Sequence, residues 1–213
     1  LQYEIPGDYT AWNEELAEKK AAYVDRRHFN PDFVNPCRFV QTLSSKMNDD
    51  AIYVADVGQN QLWSADNYVM KHGRFLTTGG FGTMGYSIPA AIGVRAALSD
   101  TQIVAVCGDG SFQMSLMELA TMRQWNLPIK FVIMRNGYLG LVREYQHHTY
   151  HDRYSGVSLD GSPDFEKIAD AYGLDYFHLE HNDEMEQRID EFLACEHAAM
   201  MVCEVYSFDL VKE

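Results

Sequence analysis

Hydrophobic and polar positions alternate between two patterns along most of this chain. Residues 51–55, 102–107, 129–134, 174–179 and 200–205 are short runs dominated by apolar residues, the signature of strands buried on both faces. Between them lie stretches with helical spacing. In residues 111–125, Phe112, Leu116, Leu119 and Met122 fall on one stripe. Helices are also predicted over 84–98 and over 35–47, where Asn35-Pro36 supplies an N-cap followed by proline in the first turn. Ser162-Pro163 opens a further helix that Gly173 closes, and Asp183 with Glu186 three positions later reads as a capping box. Apolar strands alternating with helices imply an α/β fold, an open parallel sheet covered by helices on both faces, built as a single domain over residues 35–213. Residues 1–34 differ. A Glu-, Lys- and Ala-rich helix over 10–25, preceded by Pro6-Gly7 and followed by turn-prone residues 28–36, reads as a linker or helical extension.

Composition narrows the class. The chain of 213 residues is 46% hydrophobic, enough for one substantial core, and its longest apolar runs fall far short of the roughly 20 residues that cross a bilayer. No basic, then apolar, then small-residue pattern opens it. Cys37, Cys107, Cys195 and Cys203 are widely spaced, without a C-x-x-C pair, and Cys107 sits inside an apolar strand. Reduced buried thiols and a reducing, cytoplasmic setting are expected. A net charge of −14 argues against nucleic acid and anionic membrane as partners. It leaves an anionic small ligand open, because charges beyond a Debye length of about 8 Å are screened and a bound metal ion outweighs them.

Candidate chemistry concentrates at two strand ends. Cys107-Gly108-Asp109-Gly110-Ser111 lies where a strand gives way to a helix, which in a parallel sheet places Asp109 in the ligand crevice. The glycines let backbone approach a ligand closely, and the free N–H groups of a helix beginning at Ser111 favour a phosphate. No Lys or Arg occurs between Gly108 and Met122, so a diphosphate here needs a divalent cation to neutralise it. Asn136-Gly137 ends the next strand, one βαβ crossover later and therefore nearby. A carboxylate oxygen and an amide oxygen are hard donors suited to Mg²⁺. Either dipeptide alone is an ordinary turn; the pair at successive strand ends is the signal.

At these residues the sequence resembles the thiamine-diphosphate enzymes, whose metal motif pairs Gly-Asp-Gly with a later Asn. Asp56-Val-Gly-Gln-Asn-Gln-Leu-Trp63, Thr78-Gly-Gly-Phe-Gly-Thr-Met-Gly-Tyr86, Ile88-Pro-Ala-Ala-Ile-Gly93 and Asn136-Gly-Tyr-Leu-Gly-Leu-Val142 extend the resemblance, over roughly residues 35–206, to the C-terminal cofactor domain of acetolactate synthase (acetohydroxyacid synthase) large subunits. The resemblance implies the thiamine-diphosphate-binding fold, with Mg²⁺ held by the side chains of Asp109 and Asn136 and the backbone carbonyl of Tyr138. Gly58, Gln59, Asn60, Gly110 and Ser111 would line the diphosphate, and Gly82 would meet the aminopyrimidine through its backbone. Met84 would be the apolar wedge that bends the cofactor, against a plain reading as core filling, and Leu139, Gly140, Leu141 and Val142 would pack around it. Two departures bear on contacts and substrate: Asn60 stands where the family usually has His, and Tyr145 where it usually has a Trp associated with choice of the second keto acid.

The resemblance further implies a transferase of branched-chain amino acid biosynthesis that decarboxylates pyruvate and joins the product to a second 2-keto acid. No catalytic residue is assigned to this chain, because the activating glutamate belongs to an N-terminal thiamine domain of the same or a partner chain; a central domain holds FAD in many members. A homo-oligomer, and an inactive isolated chain, are the corresponding expectations. Glu118 and Glu144 read as helix-surface carboxylates. Alternatives are another thiamine-diphosphate decarboxylase or acyltransferase, a scaffold of this fold that binds no cofactor, and an NAD-binding oxidoreductase domain. The last rests on Gly80-Phe-Gly-Thr-Met-Gly85 as G-x-G-x-x-G. Against it stand the polar strand before that motif and Pro89 in the following helix, and it leaves Asn136 unexplained.

Overall fold

The computed structural model describes residues 7–23 and 27–211. Among them, strands β1 (Ile52–Ala55), β2 (Arg74–Thr77), β3 (Ile103–Gly108), β4 (Lys130–Arg135), β5 (Asp175–Leu179) and β6 (Ala199–Glu204) form one sheet in the order β2-β1-β3-β4-β6-β5, with every pairing parallel. The strands are separated by helices α3 (Gln59–Asn67), α4 (Ser87–Ala97), α5 (Asp109–Ser115), α6 (Leu119–Gln124), α7 (Gly140–Tyr150), α8 (Phe165–Tyr172) and α9 (Met185–Ala194), and preceded by α1 (Thr10–Ala22) and α2 (Pro36–Lys46).

Successive strand residues point to opposite faces, so the sheet carries two cores. Tyr53 and Ala55 pack with Phe39, Leu43, Trp63, Ile189 and Phe192 on the side of α2, α3 and α9. Ile52 and Val54 pack with Ile88, Phe112, Leu119 and Phe165 on the side of α4, α5, α6 and α8. Covering on both faces is why the central strands read as unbroken apolar runs. The expected α/β class and doubly covered parallel sheet are what the chain adopts.

Several local expectations need correction. The helix over 111–125 is two helices, α5 and α6, joined by a 3₁₀ turn at Leu116–Glu118. Ser115 leaves helical geometry and its hydroxyl donates to the carbonyl of Gly85 at 2.6 Å. That tertiary bond breaks a stretch whose stripe alone reads as continuous. The helix over 84–98 starts later, at Ser87, because Gly85 adopts φ +84° and the buried Asp56 carboxylate takes the N–H groups of Gly85 (3.0 Å) and Ser87 (2.7 Å). Asp56 thus caps α4 from another strand's end. Asp164, not Ser162, caps α8 by accepting from the Lys167 amide, while Gly173 closes it in the left-handed region as expected. The Asp183–Glu186 capping box is absent: α9 begins at Met185 with Glu184 as a cap whose side chain accepts no backbone N–H. α3 and α7 carry too little apolar periodicity to be read as elements, and β2 is the short polar strand expected before Gly80. In the extension, α1 ends at Ala22 and buries no residue; Pro6 and the stretch to Asp25 lie outside the described residues at 1–6 and 24–26.

Candidate functional site

The chain leaves β1 outward to β2 and returns to the opposite side of β1 as β3. Connections from the carboxyl ends of β1 and β3 therefore diverge, which opens a crevice between them, the place where doubly wound sheets bind ligands. A cavity of about 350 Å³ lies there. Every site residue named from the sequence lines it: Gly58, Gln59 and Asn60 after β1; Gly82 and Met84 in the loop before α4; Asp109, Gly110 and Ser111 at the start of α5; and Asn136, Tyr138, Leu139, Gly140, Leu141 and Val142 after β4. Val57, Trp63, Gly108, Met134 and Tyr145 complete the lining. Of these, Val57 and Trp63 sit inside a motif already singled out, so proximity to Gly58 was the available signal; nothing local pointed to Met134.

Asp109 is 1% exposed. Its Oδ1 accepts from the Gly110 amide at 3.0 Å and its Oδ2 from the Gly137 amide at 2.8 Å. The second bond ties the β3 tip directly to the β4 tip, next to Asn136. Burial pushes the carboxyl up to about 6, against the pull of the two amide bonds. Among the described residues the cavity lining contains no Lys or Arg. A desolvated carboxylate with unused lone pairs and no cationic side chain in the lining matches a bound cation, because burying an uncompensated charge is otherwise expensive.

Asn136 presents Oδ1 to the Tyr138 amide at 2.9 Å and donates through Nδ2 to Gln59 Oε1 at 3.0 Å. The turn that carries it is pinned from outside: Leu139 N–H donates to the Val157 carbonyl and Leu159 N–H to the Gly137 carbonyl, both at 2.8 Å. Carboxylate, amide oxygen and a neighbouring backbone carbonyl make a donor set of hard oxygens, which fits Mg²⁺. Helix α5 begins at Asp109 rather than Ser111, and the Ser111 hydroxyl turns back onto Gly108, accepting from its N–H and donating to its carbonyl. Asn60 directs Nδ2 to the carbonyls of Asp56 (2.9 Å) and Val106 (3.3 Å), so it braces the β1 turn.

Two acids behave otherwise than the sequence suggests. Glu144 is not a surface carboxylate but 6% exposed, accepting from Gln59 Nε2 and from the Val211 amide. Asp209, outside every motif of the sequence, is 3% exposed; its Oδ2 has no partner among the described residues, and burial pushes its carboxyl up to about 6. Glu118 lies in the 3₁₀ turn, partly exposed.

Residues 56–205 match the family described as thiamine pyrophosphate enzyme, C-terminal TPP binding domain. The chain is 41% identical over 157 residues, 73% of its length and 27% of the relative's, to an acetolactate synthase of Arthrospira platensis. It is 35% identical over 211 residues (96% and 34%) to a probable acetolactate synthase large subunit of Methanocaldococcus jannaschii. To the isozyme 3 large subunit of acetolactate synthase from Escherichia coli (strain K12) it is 36% identical over 183 residues (85% and 32%). It spans about a third of the length of such relatives.

Proposed function

We propose, because the chain belongs to the thiamine pyrophosphate enzymes and corresponds to their C-terminal TPP binding domain, that the crevice between β1 and β3 holds thiamine diphosphate through Mg²⁺ bound by Asp109, Asn136 and the Tyr138 carbonyl. The observation that carries this is the Asp109 carboxylate, buried, bonded across to Gly137, and facing a cavity whose lining has no basic side chain. The dinucleotide reading of Gly80–Gly85 loses its ground: that loop shares its cavity with Asp109 and Asn136, and the family match covers it.

Acetolactate synthase-like carboligation, joining a two-carbon unit from pyruvate to a second 2-keto acid, is the reaction we assign to the complete enzyme. Similarity to acetolactate synthases across most of this chain supports it. When bound, the thiazolium ring supplies the electron sink for decarboxylation. This chain supplies position and electrostatics. Asp109 and Asn136 would hold the metal, Gly58 and Gly110 would let the diphosphate approach backbone, and Met84, whose Sδ-methyl lies against Gly110, would with Leu139 and Leu141 supply the apolar lining for the rings. Val142 and Tyr145 line the cavity yet remain 46% and 58% exposed, and neighbouring Phe81 is fully exposed. Such apolar surface at the mouth suits cover by a thiamine domain of the same or a partner chain, and Tyr145 stands where the second keto acid would be selected. The activating acid is assigned to that domain, the chain alone is inactive, and the setting is cytoplasmic.

Thermal-shift titration tests the core of this. Thiamine diphosphate with Mg²⁺ should raise the melting temperature, NADH should not, and Asp109→Ala should abolish the Mg²⁺-dependent shift. Unchanged Mg²⁺-dependent binding in Asp109→Ala would refute the assignment.

A further inference from the structure

Resting on that reading, we infer that Glu144 is a positioning residue: through Gln59 it fixes which face of the Asn136 amide meets the metal. An amide side chain is nearly symmetric in shape, and only its hydrogen-bond partners decide whether oxygen or nitrogen points into a site. Nitrogen toward Mg²⁺ would present two N–H donors to a cation and leave it one ligand short.

The network leaves no such freedom. Glu144 and the Asp209 backbone carbonyl both lie 2.9 Å from Gln59 Nε2, and both are acceptors. A carboxylate and a carbonyl cannot donate, so the nitrogen of Gln59 must face them and its oxygen must face the other way. That oxygen sits 3.0 Å from the Asn136 amide, which must therefore offer Nδ2. Oδ1 of Asn136 is left to accept from Tyr138 N–H, a backbone donor that supports the same orientation, and would be the oxygen offered to the metal. Each orientation forces the next, from a buried acid on α7 to a ligand at the tip of β4.

Gly140 makes the contact fit. A Cβ built there would lie 2.0 Å from Gln59 Oε1 and 2.7 Å from Asn136 Nδ2, so any side chain would sit on the junction itself. The Val211 amide bonds to the same oxygen of Glu144 that receives Gln59, at 2.9 Å, and the Ser207 hydroxyl donates to the Asn136 carbonyl at 2.7 Å. The segment 207–211 thereby braces both ends of the relay.

The test titrates Mg²⁺ at saturating thiamine diphosphate in the intact protein that carries this chain, followed through the change in tryptophan fluorescence that a Trp63→Phe control, at the residue lining the cavity, removes. Glu144→Met, close in size but with only a weakly accepting thioether in place of the carboxylate, should weaken Mg²⁺ affinity about tenfold, within the range for residues that orient metal ligands. Glu144→Gln keeps an oxygen acceptor and should stay within about threefold of the wild type. In an Asn136→Ala background Glu144→Met should add nothing, a coupling that a general loss of packing would not produce. If wild type binds and Glu144→Met needs no more Mg²⁺, or the two losses simply add, the relay is wrong and the cofactor assignment stands. If wild type shows no Mg²⁺-dependent binding, both fall.

Discussion

Asp209 shows how a single side chain links the folded tail to pH. Its carboxyl, held near 6 by burial against an ordinary 3.8, binds a proton more tightly in the folded chain than in the unfolded one. Stability from this group is therefore fully present below about 3.8, declines as pH rises through the interval to about 6, and is absent above it. At about 1.4 kcal/mol per pH unit, Asp209→Asn should stabilise the chain by about 1–3 kcal/mol at pH 7.5 and flatten the acid limb of the stability profile. Urea melts at pH 5 and 7.5 decide it; equal effects at both pH values would contradict the mechanism. Asp109 carries the same sign, so the substitution removes only one of two contributions. Residues differed in how far they could be read in advance. Asp109 and Asn136 were legible because local turn chemistry and the strand–helix boundary place them. Glu144 was not, because its burial comes from Gln59 and Val211, distant in sequence. Helical spacing alone puts it on a solvated face.

At the scale of elements, loops decide what helices become. Gly85 has φ +84°, and a Cβ there would lie 2.6 Å from Ser115 Oγ and 3.1 Å from Met114 Cβ, where the loop before α4 meets the break between α5 and α6. Gly85→Ala should destabilise by about 1–3 kcal/mol through strained backbone and crowding. The check is a lower denaturant midpoint with an unchanged m-value; an unaltered midpoint would mean that the contact yields. Strands β1, β3, β4 and β6 were readable because burial on both faces leaves an unbroken apolar run. Strand β2 has its apolar Phe75 and Leu76 between exposed Arg74 and polar Thr77 at the sheet's edge, and its pairing with β1 is not a local property. Helix α7 was hidden for a related reason. Its buried residues are Arg143 and Glu144, and Arg143 lies 5.0 Å from the Tyr138 ring centroid and 3.8 Å from that of Phe208. A polar inward face stabilised by cation–π contacts has no hydrophobic period to find.

For the whole molecule, strand order matters more than strand content. Alternation of runs and stripes announces a parallel sheet, yet the order β2-β1-β3-β4-β6-β5, with its reversal at β1, is what opens the crevice. The extension contributes differently. Trp12, Leu16 and Tyr23 are 58%, 46% and 68% exposed, and α1 buries nothing. Replacing Trp12 and Leu16 by Ser should leave the melting temperature within about 2 °C, since surface residues outside named contacts change stability little; a larger fall would place α1 in the fold. The opposite end is another matter. Strand β6 finishes the sheet at Glu204, but Ser207, Asp209 and Val211 go on to fasten Asn136, Gln59 and Glu144. A protease nick just beyond the sheet would thus yield a molecule of native circular dichroism in which the Asn136 side chain of the proposed metal site had lost its brace.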